Sequence, residues 1–455
     1  MVEDTIIAIS TPIGYSGLGV VRLSGKRSLH IAKKIFKPNK DKGKIPTRSP
    51  VLGNLYDFEH KEFFEEAYLT FFPEPNTYTR EDIVEISCHG SPVILEEVVR
   101  LGVKSGARHA NPGEFTLRAY LNGRIDIIQA EAINDIIKAS SLKQAKISFK
   151  QLDGILSKKI LSLRNQIVHL LSQIEASIEF PDERLRISRN KIVKTMKNVS
   201  HTVKRLIESY NLGKTLTEGL ILAIIGRANV GKSTLFNSLL KKDRAIVTPY
   251  PGTTRDYLRE KMKIKDSIFT LIDMAGIENA VHPIEKEGIR RGKKLAYEAD
   301  GILLLFDASQ KESHEDYKLI EKFRKKKTIL LFNKNDLPQK MNIEKIRKTE
   351  RNFPSLKISA LKGTNLGKLK VMIHELFVPT QEQDEGIILH LRQKLLLEDI
   401  LACLVEGKHL IGEGYPEEIC AEEIRKTIPL IGQLTGDIRV DEIIENIFSR
   451  FCIGK

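Results

Sequence analysis

Cysteine is sparse in this chain and scattered. Of 455 residues only Cys88, Cys403, Cys420 and Cys452 carry a thiol, and none stands at the C-x-x-C spacing that builds zinc sites and redox pairs. Reduced thiols in a cytoplasm are therefore expected. Long apolar runs are also missing. Stretches such as "LILAII" and "GILLLF" have the length of a buried strand, far below the roughly 20 residues of a membrane-spanning helix. The opening "MVEDTIIAIS" has neither the basic segment nor the apolar stretch of a secretory signal. Internal repeats and low-complexity tracts are not evident. What remains is a soluble composition, 41% apolar, in a chain long enough for two to four domains with real cores. Lys and Arg number 73 against 59 Asp and Glu, a net charge of +14, which favours an anionic partner such as RNA at low salt.

Up to about Arg118, short β-like runs ("TIIAIST", "GVVRLSG", "EAYLTFF", "DIVEISC") alternate with turns and one helical stretch, "SPVILEEVVRLGVKSG", which predicts a compact α+β domain. From Leu152 the apolar residues Leu156, Ile160, Leu163, Ile167, Leu170, Ile174 and Ile178 fall three or four apart, one stripe of a long helix used for packing. "FPDE" at Phe180 to Glu183 stops it, since Pro181 has no N–H to continue the ladder. Between about Gly219 and Val378, "LILAII", "IFTLID", "GILLLFD", "TILLFN" and "LKISA" alternate with amphipathic stretches, the pattern of a mostly parallel sheet covered by helices. Helical periodicity returns after about Gln381, with Leu397, Leu401 and Leu404 at i, i+4 and i+7. The expected fold class is thus α/β and α+β multidomain: an α+β N-terminal domain, a discontinuous helical domain, and an inserted P-loop domain. Domain limits are expected at 1–118, 119–215, 216–378 and 379–455.

The chemistry is concentrated in that insert. "GRANVGKS", Gly226 to Ser233, fits G-x-x-x-x-G-K-[ST] and follows "LILAII" directly, the context the phosphate loop needs. Its glycines let backbone N–H groups close around phosphate oxygens, Lys232 adds a point charge at the β/γ-phosphates, and Ser233 offers a magnesium ligand. The contact set is Gly226, Asn229, Val230, Gly231, Lys232, Ser233 and Thr234. "DMAG", Asp273, Met274, Ala275 and Gly276, ends the next strand. Its carboxylate can hold magnesium through water, and the Gly276 N–H can meet the γ-phosphate. "NKND", Asn333, Lys334, Asn335 and Asp336, ends a later strand, and the Asp336 carboxylate can accept two hydrogen bonds from guanine. Adenine lacks that donor pair, and an unpaired buried carboxylate costs about a few kcal/mol, so the box selects GTP over ATP. Ser359 and Ala360 close the base pocket. In "TPYPGTTRD", Thr248 to Asp256, Thr254 is the natural magnesium and γ-phosphate ligand. Ile277 stands where a Ras-type enzyme has its water-positioning Gln, so catalysis must be obtained another way.

The order of these boxes, with "TPIGYSGLGVVRLSG", "NPGEFTLRAYLNGRIDIIQAEAI", "FPDE", "PGTTRD" and the terminal "FCIGK", resembles the MnmE or TrmE family of tRNA uridine-modifying GTPases over essentially the whole chain. The resemblance implies a folate-binding N-terminal domain that dimerises, a helical domain of two chain segments and the inserted GTPase domain. It implies a potassium ion held by Asn229, Thr248, Tyr250 and Thr253 in place of an arginine finger, with Thr248 and Thr253 also meeting GTP, and Glu285 in "PIEKEGI" orienting the attacking water. It further implies an aminomethyl-type addition, including carboxymethylaminomethyl, at C5 of the wobble uridine of tRNA. The one-carbon unit would come from a tetrahydrofolate derivative (5-formyl or methylene), with an FAD-containing partner in a hetero-oligomer. Folate contacts carry over to Arg22, Glu85 and Arg124, with Cys452, a candidate functional thiol, and Lys455 beside them. Met274 departs from the Thr of the family's DTAG box, and Arg124 stands where Lys is also seen.

The last four residues, "CIGK", could be mistaken for a lipidation box. Gly454 is not aliphatic, Lys455 is an unusual terminus for prenyl transfer, and "VDEIIENIFSRF" before it reads as a packed helix. No membrane partner is expected. Two other classes share some of these features: a GTP-switched RNA-binding ribosome assembly factor, which needs no folate domain, and a membrane signalling switch, which needs a lipid.

Overall fold

The structure is a computed structural model and describes residues 4–39, 45–139, 141–179, 188–217, 219–243, 259–273, 299–378, 387–438 and 441–455. The chain forms two compact units. The first comprises Met1–Asn134, Lys150–Met196 and Cys403–Lys455, and the second Asp135–Phe149 and Lys197–Ala402.

In the first unit, β1 (Ile6–Ile9), β2 (Ser16–Ser24), α1 (Ser28–Ile35), β3 (Phe36–Pro38), β4 (Val51–Asp57), β5 (Glu62–Phe72), β6 (Ile83–Gly90), α2 (Pro92–Lys104) and β7 (Arg108–His109) follow one another. The seven strands lie in the order β3-β4-β5-β6-β2-β1-β7, antiparallel except for the β1–β7 pair. Alternation along each strand sorts the residues. Val21, Leu23, Val84 and Ile86 join Ile31 and Ile35 of α1 and Leu95 and Val98 of α2 in one core. The residues between them, Arg22 and Glu85, are directly paired in register and so share the opposite face. On that face Ile6, Ala8, Ala110 and Phe115 form a second, smaller cluster.

Helix α3 (Glu114–Leu121) is tied to this sheet by charge. The Arg118 side chain is 2% exposed and pairs with Asp4 (2.6 Å), Glu114 (3.0 Å) and Glu81 (3.2 Å). Arg108 also bridges Asp4 and Glu114. Burial pushes the Glu114 carboxyl up, but hydrogen bonds from Arg108, the Asn111 N–H and Arg118 outweigh it and hold it below the usual carboxylate range. A buried guanidinium is tolerable only with such company.

Helices α4 (Ile127–Ile137), α5 (Leu142–Leu152), α6 (Ile155–Glu179) and α7 (Arg189–Thr217) follow. Six of the seven stripe residues of α6 are buried. Ile178 is only half-buried, and Leu171 and Ser177 take inward positions instead. The long helix expected from Leu152 begins instead at Ile155: Leu152 ends α5, and Gly154 at φ +84° separates the two ladders. The proline stop at Phe180–Glu183 lies outside the described residues. The helices Glu417–Arg425 and Thr427–Thr435 pack on α6.

The second unit holds β8 (Leu220–Ile225), α8 (Lys232–Asp243), β9 (Arg259–Ile264), β10 (Ser267–Asp273), β11 (Gly301–Asp307), α9 (His314–Lys322), β12 (Thr328–Asn333), α10 (Ile343–Thr349), β13 (Ser355–Lys357), α11 (Leu366–Phe377) and the start of α12 (Leu391–Gly412). The sheet order is β13-β12-β11-β8-β10-β9, parallel but for β9 against β10. Leu222, Ile224, Leu303, Leu305 and Leu331 pack with Leu235 of α8 and Ile373 of α11. Ala223, Ile302, Leu304, Phe306 and Leu330 pack with Ile320 of α9 and Ile346 of α10. Helices thus cover both faces, which is why the central strands read as unbroken apolar runs. In the same unit the segments before and after the sheet meet. Leu212 and Ile147 pack with Ile387 and Leu389, and His390 pairs with Asp135 at 2.9 Å. The sheet domain is therefore inserted within a helical one.

In the first unit the chain end folds back onto the N-terminal sheet. Phe448, at the end of the helix Asp441–Phe448, and Phe451 are buried, with Phe448 tilted against Tyr120 at 6.3 Å. The Cys452 carbonyl accepts from Gly113 N–H at 3.4 Å, and Ser10 Oγ donates to the Gly454 carbonyl at 3.2 Å. Gly454 sits at φ +92°, and a Cβ there would lie 2.1 Å from the Ile9 carbonyl oxygen. Gly454→Ala is therefore expected to loosen the tail and raise the alkylation rate of half-buried Cys452 at least about fivefold, since strain of this kind costs of order 1–3 kcal/mol. Mass-mapped iodoacetamide labelling with Cys403 as internal control measures it; an unchanged Cys452 rate contradicts the docked tail.

Candidate nucleotide site and a second charged face

The phosphate loop joins the end of β8 to the start of α8. Asn229 at φ +61° and Gly231 at φ +102° turn the backbone into the start of α8, the positive end of that helix, where backbone N–H groups lack intrahelical partners. Two glycines are fixed by their neighbours. A Cβ on Gly226 would lie 2.4 Å from the Leu305 carbonyl oxygen, and one on Gly231 2.4 Å from Asn333 Nδ2. Lys232 is 4% exposed and its Nζ donates to the carbonyls of Gly226 (2.7 Å) and Arg227 (2.9 Å), spanning the loop. Ser233 and Thr234 are exposed at the helix start, and Val230 is buried beneath it.

The base boxes converge on the same loop. Asn333, at the end of β12, donates from Nδ2 to the Val230 carbonyl (2.8 Å) and accepts at Oδ1 from Ala360 N–H (2.9 Å). The Ala360 carbonyl in turn accepts from Ser238 Oγ of α8 at 2.7 Å. Asp336 is held below the usual carboxylate range, first by the Ser359 hydroxyl. Lys334, at φ +62°, places Nζ 2.6 Å from Asp307 Oδ2. Asp273 ends β10 in register with Ile224 of β8, beside the phosphate loop. Gly226, Asn229, Val230, Gly231, Lys232, Ser233, Thr234, Asp273, Asn333, Lys334, Asp336, Ser359 and Ala360 thus belong to one edge of the sheet, at the C-terminal ends of its parallel strands, where open α/β sheets bind ligands. Thr248, Tyr250, Thr253, Thr254, Met274, Ala275, Gly276 and Glu285 lie outside the described residues. The donor set fits a polyphosphate: a buried ammonium, a helix start, and a glycine turn with no room for side chains.

The N-terminal sheet carries a second charged group. Arg22 donates from Nε and Nη2 to Glu85 Oε1 at 2.9 and 2.6 Å, and its guanidinium lies 6.0 Å from the Tyr78 ring and 5.8 Å from Phe115. Arg124 stacks 4.7 Å from the same Tyr78 ring and donates to the Tyr78 carbonyl at 3.1 Å. The docked tail brings in Lys455, whose ammonium is lowered by burial and by Arg22, against the opposing pull of Cys452 and Glu85. The four folate-expected residues Arg22, Glu85, Arg124 and Lys455, with Cys452, therefore gather on one sheet face. Two guanidinium groups, an ammonium, a carboxylate and an aromatic ring suit a ligand with carboxylates and a flat heteroaromatic ring. Sequence reasoning missed Tyr78, which has no motif around it, and Gly454 as the residue that lets the tail lie flat.

Among the described residues no group of three or more His, Cys, Asp or Glu could hold a metal ion, and no helix is long and apolar enough to cross a membrane. The N-terminal region, residues 5–124, matches the family model described as the GTP-binding protein TrmE N-terminus, and residues 127–452 match that of the MnmE helical domain. A protein of Thermoanaerobacter sp. called tRNA modification GTPase MnmE is 39% identical over 460 residues, covering 100% of each chain. Its namesake from Aquifex aeolicus is 39% identical over 455 residues, again covering 100% of both. Among solved structures, Aquifex aeolicus Era bound to GDP and AlF4– is 29% identical, spans 40% of this chain and 66% of its own, and gives a TM-score of 0.29. With full-length relatives on one side and a phosphate loop joined to its base boxes on the other, the chain belongs to the MnmE family of tRNA modification GTPases.

Proposed function

We propose that this GTPase hydrolyses GTP in a potassium-stimulated reaction coupled to installing an aminomethyl or carboxymethylaminomethyl group at C5 of a tRNA wobble uridine. It works in the cytoplasm as a homodimer, with an FAD-containing partner. The observation that carries the reading is the tail: Cys452 and Lys455 lie against the sheet face that holds Arg22 and Glu85. A ribosome assembly factor would need the nucleotide edge and the basic charge but no such face.

The roles follow from the residues. The N–H groups from Gly226 to Thr234 bind and orient the phosphates, with Lys232 at the β/γ oxygens. Asp336, Ser359 and Ala360 select guanine, while Asn333 and Lys334 hold that pocket to the loop. Ser233 and Thr254 would hold magnesium, and Asn229, Thr248, Tyr250 and Thr253 potassium. Those ions, when bound, supply positive charge against the phosphate oxygens as charge develops there. Asp273 and the Met274, Ala275 and Gly276 backbone meet the γ-phosphate side, and Glu285 orients the attacking water. On the other face, Arg22 and Arg124 pair with folate carboxylates, Glu85 accepts from pterin N–H donors, and Lys455 closes the site. The proposed limits of the domains are 1–118, 119–215, 216–378 and 379–455.

Steady-state GTP hydrolysis is expected to be faster in KCl than in NaCl by about tenfold or more. Glu285→Ala should lose about a hundredfold in kcat with GDP binding retained; equal rates in the two salts remove the potassium role. Calorimetric titration with 5-formyltetrahydrofolate should give saturable binding below millimolar concentration, weakened about tenfold in Arg22→Ala. No saturable binding by the wild-type chain would favour the assembly-factor reading.

A further inference from the structure

Two aspartates outside every nucleotide box hold the nucleotide edge from one side. Both belong to the connection from β11 to α9, "DASQKESHED", and each is 1% exposed. Asp307 ends β11 opposite Asn333 in register. Its Oδ1 accepts from Ser309 N–H (3.0 Å) and Oγ (2.6 Å), and its Oδ2 from Lys334 Nζ (2.6 Å). Burial raises this carboxyl, yet Lys334 and Ser309 more than offset it and hold it low. Asp316 sits in the first turn of α9. Its Oδ2 accepts from Ser313 N–H (2.8 Å) and Oγ (3.2 Å) in a capping box. That cap uses only one carboxylate oxygen. The other, Oδ1, lies 3.0 Å from Arg227 Nε, an ion pair whose N–H is not aligned for a hydrogen bond. Arg227 is the second residue of the phosphate loop, and its own carbonyl accepts from Lys232.

We infer that the β11–α9 connection is a positioning clamp for the nucleotide site, in which Asp316 fixes the phosphate loop through Arg227 and Asp307 fixes the base box through Lys334. Each cation has its backbone inside a nucleotide box, while both anions come from one short stretch that belongs to none of those boxes. A carboxylate buried to this degree cannot be left without its cation cheaply, so the two pairs hold the boxes at a set spacing across the strand ends. The inference rests on the nucleotide site described above.

Competition of unlabelled GDP and GMP against a fluorescent GDP analogue, on the full-length chain, separates the two arms. Asp316→Asn keeps an acceptor for the cap but loses the charge facing Arg227. It should weaken GDP about tenfold and GMP far less, because the loop N–H groups engage the second phosphate. Asp307→Asn should weaken GDP and GMP by the same factor, about tenfold, with kcat unchanged and KM raised, the mark of lost uniform binding. Arg227→Gln, a partly exposed change that spares the core, should reproduce the Asp316→Asn loss, and the double variant should be no worse than either single one. Equal losses of GDP and GMP in Asp316→Asn, or wild-type GDP affinity in Arg227→Gln, would overturn the clamp while leaving the nucleotide site standing. Absence of GDP binding by the wild-type chain would overturn that site and the clamp with it.

Discussion

A single buried amide fixes where the nucleotide edge can form. Asn333 gives a proton to the Val230 carbonyl and takes one from Ala360 N–H, so one side chain joins the phosphate loop, the guanine box and the loop that closes the base pocket. No carboxylate could do both, having no proton to give, and no aliphatic residue could do either. The constraint spreads outward. Because Nδ2 must reach Val230, Gly231 has no room for a Cβ. Because Asn333 ends β12 beside Asp307 at the end of β11, the strand register decides which acid meets Lys334. The parallel sheet is thus the gauge that sets the spacing of the boxes, and burial of its central strands on both faces is what keeps that gauge from slipping.

The N-terminal sheet uses the opposite economy. Its strands bury one face against α1 and α2 and leave the other for charge, so a two-residue period alone delivers Arg22 and Glu85 to the same side as Phe115. The tail completes this face only because Gly454 can lie against the Ile9 backbone. Chain end and the residue after the first strand, 444 residues apart at Ser10 and Gly454, meet through the Ser10 hydroxyl on the Gly454 carbonyl and the close pass of Gly454 against Ile9.

Much of this was legible. The strands β8, β10, β11 and β12 announce themselves as apolar runs, and the boxes at their ends follow from motif order. The relatives bear out the family and the fold class read from those motifs. Strand β9 was not legible: in "REKMKI" Met262 and Ile264 are buried, and four charged residues around them hide an edge strand. The break at Gly154 was masked by an apolar period that continues through it. Asp307 and Asp316 gave no signal, since strand-end and helix-cap acids are common and their partners lie distant in sequence. Tyr78 likewise acquires meaning only when folding puts Arg22 and Arg124 around its ring.

The central claim is that one chain couples its nucleotide edge to chemistry on tRNA. Mass spectrometry of wobble-position nucleosides in tRNA from source cells lacking this gene, then complemented with wild type or with Cys452→Ser, tests it most directly. The account predicts loss of the aminomethyl-type uridine on deletion and its return with the wild-type gene, with the Cys452→Ser strain reporting whether the docked thiol takes part. Unchanged nucleosides in the deletion strain would contradict it.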